Sequence, residues 1–452
     1  MRRVAIIGAG VAGLTTAHGL RKAGYEVTLY TDRTAEQWLA GRPTGTAARF
    51  NAALAYEREL GLDHWHAEAP RVAGAAIIVN LRPGKPFASL IGRDPNGCLA
   101  IDVRLQSHRW MHELEARGGR IVIEPVTLER LDAIAAEHDL TIVAAGKGEL
   151  AALFERDQTR SLAAPKRHVA MVVVVGPTLE RDGLPSVSVK NNIIDGAGEA
   201  VWIPYFHRDV GPCWNLIFEA IPGGPMDIFQ PVKTGAEALA AARRVIETLV
   251  PRDAAWARDM NIADDLAWVA GIITPTVRRP IGRLPSGRLV TCIGDTAMHF
   301  DPLAAQGANN CVKMAKHMVT QILAHEDRPF DAAWMTDTFE RFWSELGQPA
   351  FELTNLMLDP MPPAGRLLLL AANGTDGIGD HGRQKLANVF AMGLADPGSL
   401  VDVMGDVAAA KRLIAETTGR GWLRPAAGGM LRAARSQLRQ AVGMSAGYPG
   451  PC

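Results

Sequence analysis

The chain carries no excess of charge: its 452 residues hold 48 Lys+Arg against 48 Asp+Glu. No field of one sign is present to recruit nucleic acid or an anionic membrane. Cysteine is sparse as well. The five, Cys98, Cys213, Cys292, Cys311 and Cys452, are scattered. No pair has CxxC spacing, so neither a zinc site nor a disulfide framework is indicated. Long apolar runs are missing: "LLLLAA" at 367–372 falls far short of the roughly 18–20 residues of a membrane span. The opening is broken by Gly in a strand–turn–helix pattern without a small-residue cleavage site, unlike a signal peptide. No repeat is visible, and no Ser/His/Asp or Cys/His constellation; His18, His108, His112, His207 and His299 read as structural. These absences leave a reducing, cytoplasmic chain with room for two or three domains.

What is present begins at the start. "RVAII" (3–7) is a short β-branched run, 11–23 has a helical pattern closing at Gly24, and "EVTLY" (26–30) is a second strand. Together they form a βαβ unit. Residues 34–66 read as helical around a Gly/Pro-rich joint at 41–45. A charged helix at 104–118 then leads into strands at 120–124 and 139–146. From about 165 to 280 the texture changes to strands separated by Gly/Pro turns, with one helix near 235–250. A buried strand returns at 287–295, a helix follows at 305–325, and helical patterns dominate from 331, broken at "DPMPPAG" (359–365).

Between the first strand and helix stands "GAGVAG" (8–13), a G-x-G-x-x-G in its required flanks. Gly8 permits the tight turn, Gly10 lets backbone approach a pyrophosphate, and Gly13 lets helix pack on strand. Val11 and Ala12 open the helix, whose N–H groups would face the phosphates. The acid expected about twenty residues on, to hold a ribose hydroxyl, is Asp32. Thr31 precedes it at the strand end and Arg33 follows. A flavin dinucleotide needs a second contact far along the chain, and "GDTAMHFDPLAAQGANN" (294–310) suits it. There Gly294 and Asp295 would meet the ribityl chain, and Pro302 would abut the ring. Gln306, Gly307, Ala308 and Asn309 begin a helix whose dipole favours the electron-rich pyrimidine edge.

These segments resemble the GD-type flavin motif of monooxygenases with the p-hydroxybenzoate hydroxylase fold. More narrowly, the chain resembles the oxygenase component of two-component styrene and indole monooxygenases. "TAARFNAALAYERELGLDHW" (46–65), "LAIDVRL" (99–105), "IVAAGKGEL" (142–150), "LIFEAIPGGPMDIF" (216–229) and "TNLMLDP" (354–360) carry the likeness alongside the two flavin motifs, which extends to about residue 415. The resemblance implies an α/β fold: a Rossmann-type FAD-binding domain, an inserted antiparallel β-sheet substrate domain and a helical C-terminal region. The corresponding boundaries are 1–165 (with a substrate-domain excursion near 67–98), 166–280, 281–330 and 331–442, with a disordered tail at 443–452.

It further implies that a separate NADH:flavin reductase supplies FADH2. With O2 this gives a flavin C4a-hydroperoxide that attacks an alkene, an indole C2=C3 bond or a sulfide in a small hydrophobic substrate. Homodimerisation is a family expectation. Arg42 and Arg104, with Ala145 and Gly146, fall in matched segments and are assigned to the flavin, with Asp102 orienting Arg104. Two departures stand out. Gly45 occupies a place where the family has Asn near the reacting flavin edge, and Ala305 one where Gly is usual. Gly45 suggests a substrate bulkier than or different from styrene, an indole-bearing or prenylated compound. Arg42, Gly45 and Pro302 are thus the pocket and flavin-edge positions, without an acid–base residue.

Alternatives are a single-component NAD(P)H-dependent aromatic hydroxylase, a flavin-dependent halogenase and a flavin-binding protein without oxygenase activity. "VWIPYF" (201–206) resembles part of the flavin halogenase motif, but reads as a sheet strand. Residues 420–442 lie beyond the resemblance. Their pattern sets Arg432, Arg435 and Arg439 apart from Met430, Leu431, Leu438 and Val442, a solvated basic face or a docking helix.

Overall fold

The computed structural model describes residues 2–45, 48–146, 148–180 and 187–448. The chain divides into two compact units. One comprises residues 1–65, 101–165 and 273–351, and the other 66–100, 166–272 and 352–452.

In the first unit five strands run parallel in the order Leu289–Cys292, Leu140–Val143, Arg3–Ile7, Glu26–Thr31 and Arg120–Ile123. The inner strand Leu140–Val143 is buried throughout, as a strand covered on both faces must be. Helix Val11–Lys22 crosses between the first two strands, as the βαβ pattern requires. The stretch 34–66 is less uniform than its pattern predicts. It contains helix Ala35–Ala40, strand Ala48–Phe50 and helix Asn51–Glu59, because Gly41, Pro43 and Gly45 interrupt helical backbone. Residues 331–351 join this unit through Trp334, Met335, Phe339, Phe342 and Phe351, which lie in its core.

His18 is fully buried within that core. Its Nε2 lies 2.9 Å from the Trp110 carbonyl, while the Arg117 guanidinium donates to Nδ1 at 3.1 Å. Nδ1 must therefore accept and the ring stay neutral. Burial pushes its pKa down from 6.5 to about 4. The unfolded chain thus takes up this proton first as pH falls, and stability drops through the window from 6.5 to 4. Urea unfolding should show about 2 kcal/mol of this loss between pH 7 and pH 5, absent in His18→Gln.

The second unit is built on a sheet ordered Asn261–Ile262, His168–Val175, Gly211–Ala220, Gly198–His207, Ser188–Ile194, Val72–Arg82, Lys85–Ala100, with Trp268–Ile272 also on His168–Val175. Its pairs are antiparallel except Ser188–Ile194 with Val72–Arg82, which is parallel. Among the described residues the pairs within 166–280 are antiparallel, as expected, and the one parallel pair comes with the 72–100 hairpin. The hairpin 72–100 enters from a separate stretch of chain, so its direction is not set by a hairpin turn. One face packs on helix Gly235–Leu249 through Ala170, Val172, Trp202, Trp214, Leu216 and Phe218. Trp202, from the "WIP" triplet, is committed to this core: its ring meets Trp214 and Trp256, and its Nε1 donates to Asp253 at 3.0 Å.

The C-terminal helices cover the 72–100 hairpin, with Leu353, Leu368, Leu386 and Ile414 packed on Ala88 and Leu90. Helix Leu423–Ala441 packs through its small residues Ala426, Gly429, Ala433 and Ser436, leaving Met430, Leu431, Leu438 and Val442 exposed. The tail expected to be disordered is pinned as far as Tyr448, whose hydroxyl donates to the Phe87 carbonyl at 2.5 Å; residues 449–452 lie outside the described residues. Cys98, Cys213, Cys292 and Cys311 are buried and form no disulfide, and burial pushes Cys98 up to about 12. No helix among the described residues is long and apolar enough to cross a membrane.

Candidate flavin site

Four loops leave the carboxyl edge of the parallel strands, after Ile7, Thr31, Val143 and Cys292. In open α/β sheets that edge is where ligands bind. The residues singled out by sequence converge there, each for a visible reason. Gly8 has φ +118°, and a Cβ on it would lie 2.4 Å from the Ala144 oxygen. A Cβ on Gly13 would lie 2.0 Å from the Gly8 oxygen. Gly10 differs: a Cβ there meets no protein atom within 4 Å. Gly10 is the N-cap of helix Val11–Lys22, with no side-chain cap and no acid in the first turn. The helix start is thus an uncapped positive end beside open space, which fits a dinucleotide pyrophosphate.

Strand Glu26–Thr31 ends on Thr31, which is buried, so the acid falls one residue beyond it. The Asp32 and Arg33 side chains are about half exposed, 3.7 Å apart, and Arg33 lies over the Trp38 ring. On the third loop the Gly146 N–H donates to Thr296 Oγ1 at 2.8 Å, tying Ala145–Gly146 to the Gly294–Thr296 turn. Gly294 has φ +62°, and a Cβ there would press on Ala12 at 2.7 Å. The two motifs, remote in sequence, therefore touch. Asp295 is partly exposed and accepts from the Cys311 thiol at 3.8 Å. Thr296 went unnoticed in the sequence; only its position after the Gly-Asp pair could have pointed to it.

Turn Pro302–Ala304 leads to Ala305 at φ 54°, ψ 26° and then to helix Gln306–Ala324. Ala305, standing where Gly is usual, takes left-handed backbone, which costs a non-glycine residue about 1 kcal/mol. Gln306 Nε2 donates to the Ala304 carbonyl at 2.8 Å. Asn309 is fully buried. Its amide donates to the Ala305 and Ala48 carbonyls at 2.7 and 2.9 Å and accepts from the Phe50 N–H at 2.8 Å. These two side chains shape the turn, leaving the N–H groups of Gly307 and Ala308 at the helix start. Asn309→Ala would remove the partner of the buried Phe50 N–H and Ala48 carbonyl and of the part-buried Ala305 carbonyl; urea unfolding should show a loss of about 3 kcal/mol.

Arg104 is fully buried and engaged by protein. It donates to both Asp102 oxygens at 2.7–3.1 Å and to the Gly41 carbonyl at 3.3 Å. It braces the 41–45 loop, on which Arg42 is exposed and Gly45 half-buried. A Cβ on Gly45 would meet nothing within 4 Å, so the position has room for a side chain. Thr46 and Ala47, inside a matched segment, lie outside the described residues.

Residues 2–81 match the family described as "Pyridine nucleotide-disulphide oxidoreductase", and residues 146–255 match "Styrene monooxygenase A putative substrate binding domain". Styrene monooxygenase StyA of Pseudomonas fluorescens is 28% identical over 331 residues, covering 72% of this chain and 78% of that one. Its counterpart from Pseudomonas sp is 28% identical over 333 residues, with the same coverage. Among solved structures, the flavin-dependent brominase Bmp2 superposes with a TM-score of 0.59 at 15% identity, covering 97% of this chain and 99% of that one. The flavin-dependent halogenase CmlS gives 0.57 at 14%, covering 91% and 72%. At those identities the two structures speak for the fold alone.

The matched substrate-binding domain and the two styrene monooxygenase relatives, on a Rossmann-type unit with an inserted sheet unit, indicate a flavin-dependent monooxygenase. Within that class the matched substrate-binding domain and the 28% identity point to a likeness to styrene monooxygenase StyA.

Proposed function

We propose that the chain is the oxygenase component of a two-component system, taking FADH2 from a separate NADH:flavin reductase. One atom of O2 enters an electron-rich alkene of a small aromatic substrate, by styrene-like epoxidation or indole C2=C3 oxygenation. The other leaves as water as FADH2 becomes FAD. The observation that carries this is the uncapped helix start beside open space at Gly10, joined through Gly294 and Ala12 to the second motif.

Reduced FAD, when bound, supplies the electrons and the electrophilic oxygen chemistry. The protein's part is to bind, orient and exclude water. Gly8, Gly10, Val11, Ala12 and Gly13 would hold the pyrophosphate, and Thr31, Asp32 and Arg33 the adenosine end. Ala145, Gly146, Gly294 and Asp295 would hold the ribityl chain. Pro302, Gln306, Gly307, Ala308 and Asn309 would form the ring's edge, with Arg42 and Gly45 on the facing loop and Arg104 bracing it. A cytoplasmic homodimer completes the proposal, and light scattering of the purified protein checks the dimer.

The decisive experiment supplies the protein with FADH2 and 18O2 and a panel of styrene, indole and an aryl sulfide. Epoxide or sulfoxide with one 18O, or indigo with one 18O in each of its two indole halves, is expected; release of all the oxygen as H2O2 with every substrate would defeat the proposal. Mixing the oxidised holoenzyme with NADPH tests the two-component half: rapid bleaching without a reductase would make it a single-component hydroxylase.

A further inference from the structure

Strand residues alternate between the faces of a sheet. In strands His168–Val175, Gly198–His207 and Gly211–Ala220 the face carrying Val172, Trp202, Trp214 and Leu216 is packed into a core with helix Gly235–Leu249. The intervening residues Met171, Val173, Val201, Ile203 and Ile217 are buried too, between 0% and 8% exposed. Yet they belong to none of the three core clusters. Among them stands Asn215, paired in register with Val173 on one side and Ile203 on the other. Asn215 is 0% exposed, and neither its amide nitrogen nor its amide oxygen has a hydrogen-bond partner.

The same face carries buried Tyr205 and Glu219 at its two ends, but beside Asn215 stand Val173 and Ile203; an unsatisfied amide between them is costly, and Val or Leu would meet those neighbours without that cost. The group has a use if a ligand meets its amide oxygen. We infer that Asn215 is a specificity-determining residue that recognises the ring N–H of an indole-type substrate, accepting from it through the side-chain oxygen. This rests on the oxygenase reading above and narrows it from electron-rich alkenes at large to N-heteroaromatic ones. A hydrocarbon such as styrene would leave the amide as it stands, buried and unmet.

Indole and indene provide the test, since they share the bicyclic frame and the C2=C3 bond and differ in N–H against CH2. Turnover with FADH2 and O2, and equilibrium binding to the holoenzyme, are measured for the wild type and for Asn215→Leu and Asn215→Val. The wild type should favour indole by about tenfold, the value of one well-made hydrogen bond. In both variants the indole:indene ratio should fall to about one. Both variants should keep or raise Tm, because they remove an unsatisfied buried amide. A ratio unchanged by substitution overturns the inference, as does a sharp fall in Tm, which would reveal a structural partner. Should neither compound be oxygenated, the oxygenase reading fails separately, and the ratio of the two Kd values alone decides the role of Asn215. Failure of both to bind counts against it.

Discussion

Gly13→Val is expected to unfold the nucleotide-binding unit, whereas Gly10→Val should leave it folded and abolish flavin binding. The contrast follows from where each new Cβ goes. At Gly13 it would sit 2.0 Å from the Gly8 oxygen, a backbone atom that cannot move without breaking the Gly8 N–H bond to the Tyr30 carbonyl. Overpacking of that kind in a fixed backbone costs about 3 kcal/mol or more. At Gly10 the added side chain meets no protein atom within 4 Å. Stability should therefore stay within about 0.5 kcal/mol, while the space left for a pyrophosphate is filled. Thermal unfolding of apoprotein with flavin titration of each variant separates the two effects. A Gly10→Val protein that binds FADH2 as tightly as wild type would remove the cradle from the proposed site.

A second large effect is expected at Arg49 and Glu57. Both side chains are 0% exposed and form an ion pair. Arg49 lies on strand Ala48–Phe50, which Asn309 ties to the start of helix Gln306–Ala324. Glu57 follows two turns into the next helix. Truncation of Glu57 removes this buried partner from the Arg49 charge. Glu57→Ala should therefore lose about 3–5 kcal/mol in urea unfolding. Replacing both with apolar residues of similar volume should recover much of that loss, since the pair's attraction is offset by desolvation. If Glu57→Ala were as stable as wild type, the pair would carry no structural weight.

Much of the flavin cradle was legible in the sequence because its constraints are local. A turn with no room for Cβ calls for glycine at 8 and 13, and a strand–turn–helix of fixed period carries them. The Gly294–Asn310 segment was legible as a turn feeding a helix for the same reason, as was the break at 359–365. Less legible was the stretch 34–66, where a short strand held by Asn309 interrupts helical periodicity. That outcome depends on a residue some 260 positions away. The parallel pairing of Ser188–Ile194 with Val72–Arg82 was hidden likewise, since strand direction comes from which elements meet.

By itself, then, the order of residues determined the βαβ start, the glycine positions and the two-motif likeness to styrene monooxygenases, all set by backbone sterics over short spans. Only the tertiary structure decided that Ala12 abuts Gly294, that Arg104 is buried and reaches the Gly41 carbonyl, and that Asn215 is enclosed with its amide unmet. Each of these is a matter of burial and contact between distant segments, which no local spacing encodes.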